Sequence, residues 1–407
     1  MEGLVVGIDL CDAYTQVNCA EEEMAWTVPT VICKSKHSEE WYVGEDAYAH
    51  VLLGDGIIVD KLVNMVLKEG TATIGEVRYE GKQLLKRFLE QVLEFPQQEY
   101  GMPAVRQLVV TVEKLDQRLM EAIYACAEEL DIKREQVHII SHAEGFTYYI
   151  LNQKREIWNG AVGMFDLSEQ RLRYFEMKAQ RGMKKTTVLT EYENLEEAFS
   201  LDILETPSGA KLADKILCSC GERMMQKKLY SAVFLTGKGF LNRDWAESFM
   251  KLICTKRRVY METAVFAKGA AYRAADFLHE KTVHPYICIC EGHLKSTVSM
   301  NVLHKGQETS VVLVAAGDNW YEVGATVDVI PEQQEAIDFI VTSADSKQSK
   351  VVSVPLEGFP KRPERTTKVR IQVSFLDEHT MDIKIKDQGF GELFPASGVQ
   401  IRQEVMI

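Results

Sequence analysis

Val5-Val6-Gly7-Ile8-Asp9-Leu10-Cys11-Asp12-Ala13-Tyr14-Thr15-Gln16-Val17 opens the chain with an apolar run, three short residues and a resumed alternation. The pattern predicts a buried strand, a tight turn and a returning strand, with Asp9 at the end of the first strand and facing the turn. A carboxylate at the edge of a buried strand is costly without a polar or metallic partner opposite it. Two readings satisfy the stretch. One is a plain hairpin with a solvated turn aspartate. The other is a carboxylate holding hydrated magnesium while the backbone N–H groups of the turn face phosphates.

Further along, residues 161–165 and 172–177 repeat the unit, with Asp166 closing the leading strand. Between the copies lie a strand over 107–112, a helix over 116–130 with Leu119, Ile123, Cys126 and Leu130 on its buried stripe, a short strand over 137–140 and a helix over 143–151. The repetition predicts a duplicated α/β domain with both aspartates facing one cleft. The first half also predicts a strand over 26–33 interrupted by Pro29, a helix ending near His50, and a helix over 83–93. Residues 178–210 are less periodic. After them come a helix over 211–226, a strand over 232–236 running into Gly237-Lys238-Gly239, and helices over 245–253 and 264–278. The last has a small face of Ala267, Gly269, Ala270, Ala271, Ala274 and Ala275, which suits a flat ligand or tight helix–sheet packing equally. From about His279 helices cease, and six or more short alternating strands predict an antiparallel β-sandwich.

Size and composition bound the function. The 407 residues suffice for two or three domains. A net charge of −13 argues against a broad surface for nucleic acid or anionic membrane. No apolar run approaches a membrane span and the start lacks a signal-peptide pattern, so a cytoplasmic protein is expected. Nine cysteines scattered through apolar runs suit reduced core thiols. The C-x-C pairs Cys218/Cys220 and Cys288/Cys290 lack the spacing of a zinc site.

In this order the motifs resemble the actin/hexokinase/heat-shock ATPase superfamily, and the DnaK-type heat-shock chaperones in particular. Gly7-Ile8-Asp9-Leu10 resembles that family's first phosphate loop, Val43-Gly44-Glu45-Asp46-Ala47 a helix start, and Val59-Asp60-Lys61-Leu62 its lysine-bearing segment. Val109-Val110-Thr111-Val112 is similar to the strand of its I-T-V-P motif. Phe165-Asp166-Leu167 resembles the second phosphate loop, Val233-Phe234-Leu235-Thr236-Gly237 the adenosine loop, and Lys268-Gly269-Ala270-Ala271 the closing helix. Val354-Pro355-Leu356-Glu357-Gly358-Phe359 and the strands after it are similar to the substrate-binding β-domain. The resemblance implies an α/β duplicated actin-like (ribonuclease-H-like) ATPase fold followed by an all-β sandwich. The lobes implied are residues 1–160 and 161–281, the second with a shortened insert, then 282–407 without a helical lid. For an ATPase it implies Asp9, Lys61 and Asp166 as catalytic residues. Asp9 and Asp166 would hold magnesium through water. Gly7, Cys11, Asp12, Ala13, Ser168, Gly237, Lys238 and Gly239 would contact Mg·ATP or ADP.

The departures are chemical. After the first strand Cys11-Asp12-Ala13 replaces a glycine and two threonines, so a carboxylate and a Cβ stand where close approach to phosphate is needed. After the second, Ser168-Glu169-Gln170-Arg171 replaces three glycines and a threonine, leaving Arg171 as a phosphate clamp or a hairpin-surface charge. The family's active-site glutamate falls at His142, with Glu144 two residues on, and its allosteric proline falls at Glu113. Phosphoryl transfer depends on positioning and charge neutralisation, so these losses weigh most against hydrolysis. The expected function is a chaperone-like scaffold that binds protein or peptide, with a degenerate nucleotide site and weak or no ATP hydrolysis. The alternative is an active Mg·ATP-dependent chaperone ATPase.

Overall fold

The computed structural model describes residues 3–20, 22–101, 104–168, 171–181, 186–332, 335–344 and 348–407. It is a mixed α/β protein with several sheets. The chain divides into two compact units, Met1–Ala179 with Thr190–Pro285, and Gln180–Leu189 with Tyr286–Ile407. Among the described residues no helix is long and apolar enough to cross a membrane.

The first unit begins with β1 (Leu4–Leu10), β2 (Tyr14–Cys19) and β3 (Ala25–Pro29). The strand expected over 26–33 is two strands, because Pro29 ends the first of them and β4 (Ile32–Ser35) joins a different sheet. That small sheet is completed by β5 (Trp41–Val43) and by β6 (Gly56–Val59), with α1 (Gly44–Leu52) between them. Then come α2 (Leu62–Leu67), the hairpin β7 (Thr71–Ile74) and β8 (Val77–Glu80), and α3 (Gly81–Tyr100). The α3 helix outruns the expected 83–93. A capping box between Glu80 and Gln83 starts it, and Gly101 in the left-handed region ends it. β9 (Val105–Val112), α4 (Gln117–Glu129), β10 (Val137–Ser141) and α5 (His142–Leu151) close the first half.

The first sheet runs β10-β9-β1-β2-β3, with β1 parallel to β9 and antiparallel to β2. Alternation sorts its side chains. Ile8, Leu108 and Val110 meet Leu89, Leu93, Ile123 and Ala127 of α3 and α4. Val5 and Val109 point the other way, onto Ala270 and Ala274. Asp9 lies two and four residues from Gly7 and Val5, so it shares the second face.

The second half contains β11 (Ala161–Ser168), β12 (Arg171–Arg181), β13 (Thr186–Asn194), α6 (Pro207–Met225), β14 (Tyr230–Thr236), α7 (Glu247–Cys254), β15 (Arg258–Met261) and α8 (Val265–Phe277). Its strands follow the order β15-β14-β11-β12-β13. Phe165, Leu167, Leu172 and Tyr174 pack with Leu217, Phe249 and Ile253 of α6 and α7, which leaves Asp166 and Arg173 facing away from that core. The small face of α8 is a packing surface. A Cβ on Gly7 would stand 2.1 Å from Ala271 N, and one on Gly269 would stand 1.8 Å from Gly145 O, so β1, α5 and α8 meet backbone to backbone.

In the second unit Thr186–Leu189 pairs in parallel with β16 (Tyr286–Ile289). Eight further strands follow: β17 (Ser296–His304), β18 (Gln307–Val314), β19 (Ala325–Val329), β20 (Ala336–Ser343), β21 (Ser349–Pro355), β22 (Lys368–Phe375), β23 (Thr380–Gly389) and β24 (Gln400–Met406). They form two four-stranded antiparallel sheets, β18-β17-β20-β21 and β19-β22-β23-β24. Both feed one core, with Val298, Phe339 and Val354 from the first and Val369, Ile371, Ile383 and Ile385 from the second.

Candidate functional site

The two strand-end aspartates meet a cluster of side chains inside the first unit. Asp9 is the penultimate residue of β1, with its carboxylate on the α5 face, and His142 is the first residue of α5, one position after the Ser141 cap. His142 Nε2 lies 2.7 Å from Asp9 Oδ1. In the β11–β12 hairpin, Asp166 is directly opposite Arg173. Arg173 Nε and Nη2 donate to Asp166 Oδ2 at 3.0 and 2.6 Å. Nη2 also lies 2.8 Å from His142 Nδ1. The result is a continuous chain, Asp9–His142–Arg173–Asp166. Its members are 1%, 2%, 3% and 1% exposed, so water screens none of the contacts. The imidazole stacks on Phe266 of α8, with centroids 4.0 Å apart and planes within 8°.

The hydrogen bonds assign the histidine's protons. A guanidinium only donates, so Nδ1 must present its lone pair to Arg173, and Nε2 therefore carries the hydrogen given to Asp9. That assignment decides the metal question. Asp9, Cys11 and His142 bring three ligand atoms within 4.8 Å of one another. A ligating imidazole must offer an unprotonated nitrogen to the ion and give its other N–H to an acceptor. Here the nitrogen nearest Asp9 and Cys11 is protonated and the far one faces a donor. The Cys11 thiol is pushed well up, first by burial and then by the Asp9 charge, and its S–H points to Asp9 Oδ1 at 3.5 Å. The three donors form a hydrogen-bonded unit and do not fit a metal.

The remaining expected residues are dispersed. Ser168 donates to Asp166 Oδ1 at 3.0 Å, so both oxygens of that carboxylate are engaged. Asp12 accepts the backbone N–H of Asn64 at 3.0 Å and thereby caps α2, whose own N-cap residue, Lys61, makes no side-chain cap. Burial raises the Asp12 pKa, and the backbone bonds from Asn64 and Val63 oppose that. Lys61 is exposed, with a left-handed backbone (φ 53°), and its charge is among the influences that lower the Asp12 pKa. Ala13 contributes its carbonyl to Thr30 N at 3.2 Å. Gly7 is covered by α8. Gly237, at φ +92°, lies against Leu167 O and Asp166, and Gly239 lies against the Leu167 and Leu201 side chains. Lys238 starts the short turn after Gly237. Glu169 lies outside the described residues.

Arg171 and Glu113 were expected to play different parts, and the structure pairs them. They form a direct ion pair between β12 and the end of β9, while Arg171 Nη2 stays 4.0 Å from Asp166. Burial alone would raise the Glu113 carboxyl, but the guanidinium of Arg171, in direct contact, holds it down to about 2. A depressed carboxyl stabilises the fold above its ordinary value of 4.5, and that contribution fades as pH falls toward about 2. In urea titrations, wild type is therefore expected to lose more of its unfolding midpoint below pH 4.5 than Glu113→Gln does. Equal losses would show that the pair adds nothing.

Arg173 was not singled out in the sequence, although the antiparallel register that pairs Ser168 with Arg171 sets it opposite Asp166. For His142, no local signal points to Arg173.

The chain matches the C-terminal part of a family of unknown function (DUF5716) over residues 13–291 and a domain of unknown function (DUF8552) over residues 293–407. No curated protein matches it.

Proposed function

The chain belongs to the family of unknown function DUF5716, and from its own geometry we propose a chaperone-like scaffold that binds protein or peptide, with a degenerate nucleotide site and weak or no ATP hydrolysis. In this reading the first unit is a duplicated actin-like ATPase fold, and the second is an all-β sandwich of the DnaK-type substrate-binding kind. One observation carries the nucleotide half. Both carboxylates that would orient magnesium are engaged by the protein's own donors, Asp9 by His142 and Asp166 by Arg173 and Ser168. Releasing them would leave buried charges unpaired, at a cost of several kcal/mol that nucleotide binding would first have to overcome. The turns add no compensating glycine cradle, since Asp12 is committed to α2 and Gly237 is covered by Leu167.

The peptide half rests on the resemblance of the second unit. The exposed apolar side chains Leu303, Val312 and Val351, all on the β18-β17-β20-β21 sheet, agree with it. Fold alone does not fix function, so each half is tested separately. Thermal unfolding of the full chain with Mg·ATP or Mg·ADP is expected to show no change in midpoint. A ligand at a hundred times its dissociation constant would add about 2.7 kcal/mol and move it by several degrees. Such a shift, lost in Asp9→Ala, would overturn the nucleotide half. A fluorescent unfolded peptide is expected to bind the full chain equally with and without nucleotide. No binding at any attainable concentration would overturn the peptide half.

A further inference from the structure

One face of the first unit carries charge opposite in sign to that of the whole chain. It lies where the parallel strands β11, β14 and β15 begin, at the end of their sheet away from Asp166. The turn from α6 into β14 brings Lys227 and Lys228, and the turn from α7 into β15 brings Lys256, Arg257 and Arg258. Contacts hold these turns side by side. Arg258 pairs at 3.0 Å with Glu156, in the turn before β11, and the Arg257 guanidinium stands 6.0 Å from the centroid of the Tyr230 ring. Lys228 reaches Glu176 of β12 at 2.8 Å, and Lys178 pairs with the same carboxylate. The exposed Lys227 and Lys256 add positive charge beyond these pairs, in a chain whose net charge is −13. The C-terminal ends of α6 and α7 favour a cation each, which accounts for one charge per turn and not for two or three. Among these cations Leu229 is 91% exposed, while its carbonyl accepts the Ala161 N–H at 3.3 Å and fixes the backbone beneath it.

We propose that this face docks an acidic segment of another protein, one that sets an apolar side chain among its carboxylates. The chemistry of the occupant follows from what the face already holds. Glu156 and Glu176 show its cations engaging carboxylates. Leu229 offers apolar surface that a ligand of charge alone would leave in water. Nucleic acid fits less well. The Trp158 and Tyr230 rings are 4% and 7% exposed and lie under the guanidinium groups of Arg155 and Arg257, out of reach of a base. An anionic membrane fits less well too, because a net charge of −13 opposes approach to a broad anionic plane, whereas a short segment can stay within a Debye length of the patch. This docking is separate from the peptide binding proposed for the second unit and from the cleft of Asp9 and Asp166.

The full chain is titrated with an unstructured fluorescent peptide of glutamate, glycine and leucine. Binding is expected, and it should weaken about threefold or more as salt rises from low to physiological. Lys227→Gly combined with Lys256→Gly should weaken it by about three- to tenfold. This variant removes charge without loading the fold. Both lysines stand at φ 58°, a left-handed conformation that glycine adopts without strain, so it should melt no lower than wild type. Asparagine at both positions, which also tolerates that conformation, should give the same loss of binding. Serine in place of the peptide's leucine should weaken binding to wild type several-fold and to Leu229→Ser hardly at all. A peptide with lysine in place of glutamate should not bind. No binding of the glutamate–leucine peptide at any attainable concentration overturns the proposal, as does an affinity unchanged in both double variants or indifferent to the leucine. Tighter binding of phosphatidylserine vesicles or of a single-stranded oligonucleotide, lost in the double glycine variant, assigns the face to that ligand and overturns the proposal as well.

Discussion

Gly269→Ala is expected to destabilise the first unit by about 3 kcal/mol or more, at the upper end of the range for overpacking, whereas Gly145→Ala is expected to be nearly neutral. The two glycines face each other where α8 crosses α5, so the contrast isolates direction from location. A Cβ at Gly269 would stand 1.8 Å from Gly145 O and 2.6 Å from Gly145 C, both backbone atoms that no rotamer change can move. The helices would have to separate, lifting Phe266 from the His142 ring and Ala271 from Gly7. A Cβ at Gly145 would meet Thr111 Oγ1 at 3.3 Å and Phe266 O at 3.4 Å, contacts that a few tenths of an ångström relieve. Alanine also favours a helix by about 1 kcal/mol over glycine. That gain offsets the mild crowding at Gly145 and is too small to offset the clash at Gly269. Urea midpoints of the two variants and wild type check this. Equal, small shifts would mean that the crossing is looser than described.

The crossing also shows which kind of information the sequence carried. A row of alanines and glycine at helical spacing announced a close approach, but helix–sheet packing and a flat ligand leave the same trace. Only the atoms found opposite, Ala271 N above Gly7 and Gly145 O above Gly269, separate the two. Strands with one wet face were readable because alternation is local. Along β22, from Lys368 to Phe375, every second residue is buried. The strand β13 was not readable, because the residues before it, Lys178 to Lys185, are largely polar and break the period.

The site divides in the same way. Asp9 and Asp166 were legible as carboxylates near the ends of buried strands, since that placement needs only the local pattern, although β11 runs on past Asp166 to Ser168. Their partners were not. His142 meets Asp9 across 133 positions of sequence, and Arg173 meets His142 across 31, so both contacts depend on how β1, α5 and the second hairpin assemble. Asp12 looked like a charge set against phosphate. Its actual acceptor role at α2 spans 52 positions and has no sequence signature, because the residue it serves is a bare backbone N–H.

Arg362→Met is expected to destabilise the second unit by about 3–5 kcal/mol, because it leaves a fully buried carboxylate without its cation. Arg362 donates to both oxygens of Asp387 at 2.8 Å each and to Pro395 O at 2.7 Å, and the Asp387 side chain is shielded from solvent. Asp387 also accepts the N–H groups of Gly389 and Ser397, so one carboxylate ties β23 to the segment leading into β24. The Arg362 hydrogen bonds, ahead of those from Ser397 and Gly389, hold this carboxyl well below the usual aspartate range against the effect of burial. A depressed pKa makes the contribution complete above about pH 4 and removes it as pH falls below that value toward the lowered one. Wild type should therefore lose stability in acid more steeply than Arg362→Met. Arg362→Met with Asp387→Asn should cost much less than the sum of the two single changes, since each alone strands its partner. Trp320, the only tryptophan of the second unit, reports the transition by fluorescence once the other four are replaced by phenylalanine. Strict additivity, or equal acid sensitivity in wild type and Arg362→Met, would mean that the pair is a surface contact in solution and that β23 and β24 are held by their ladder alone.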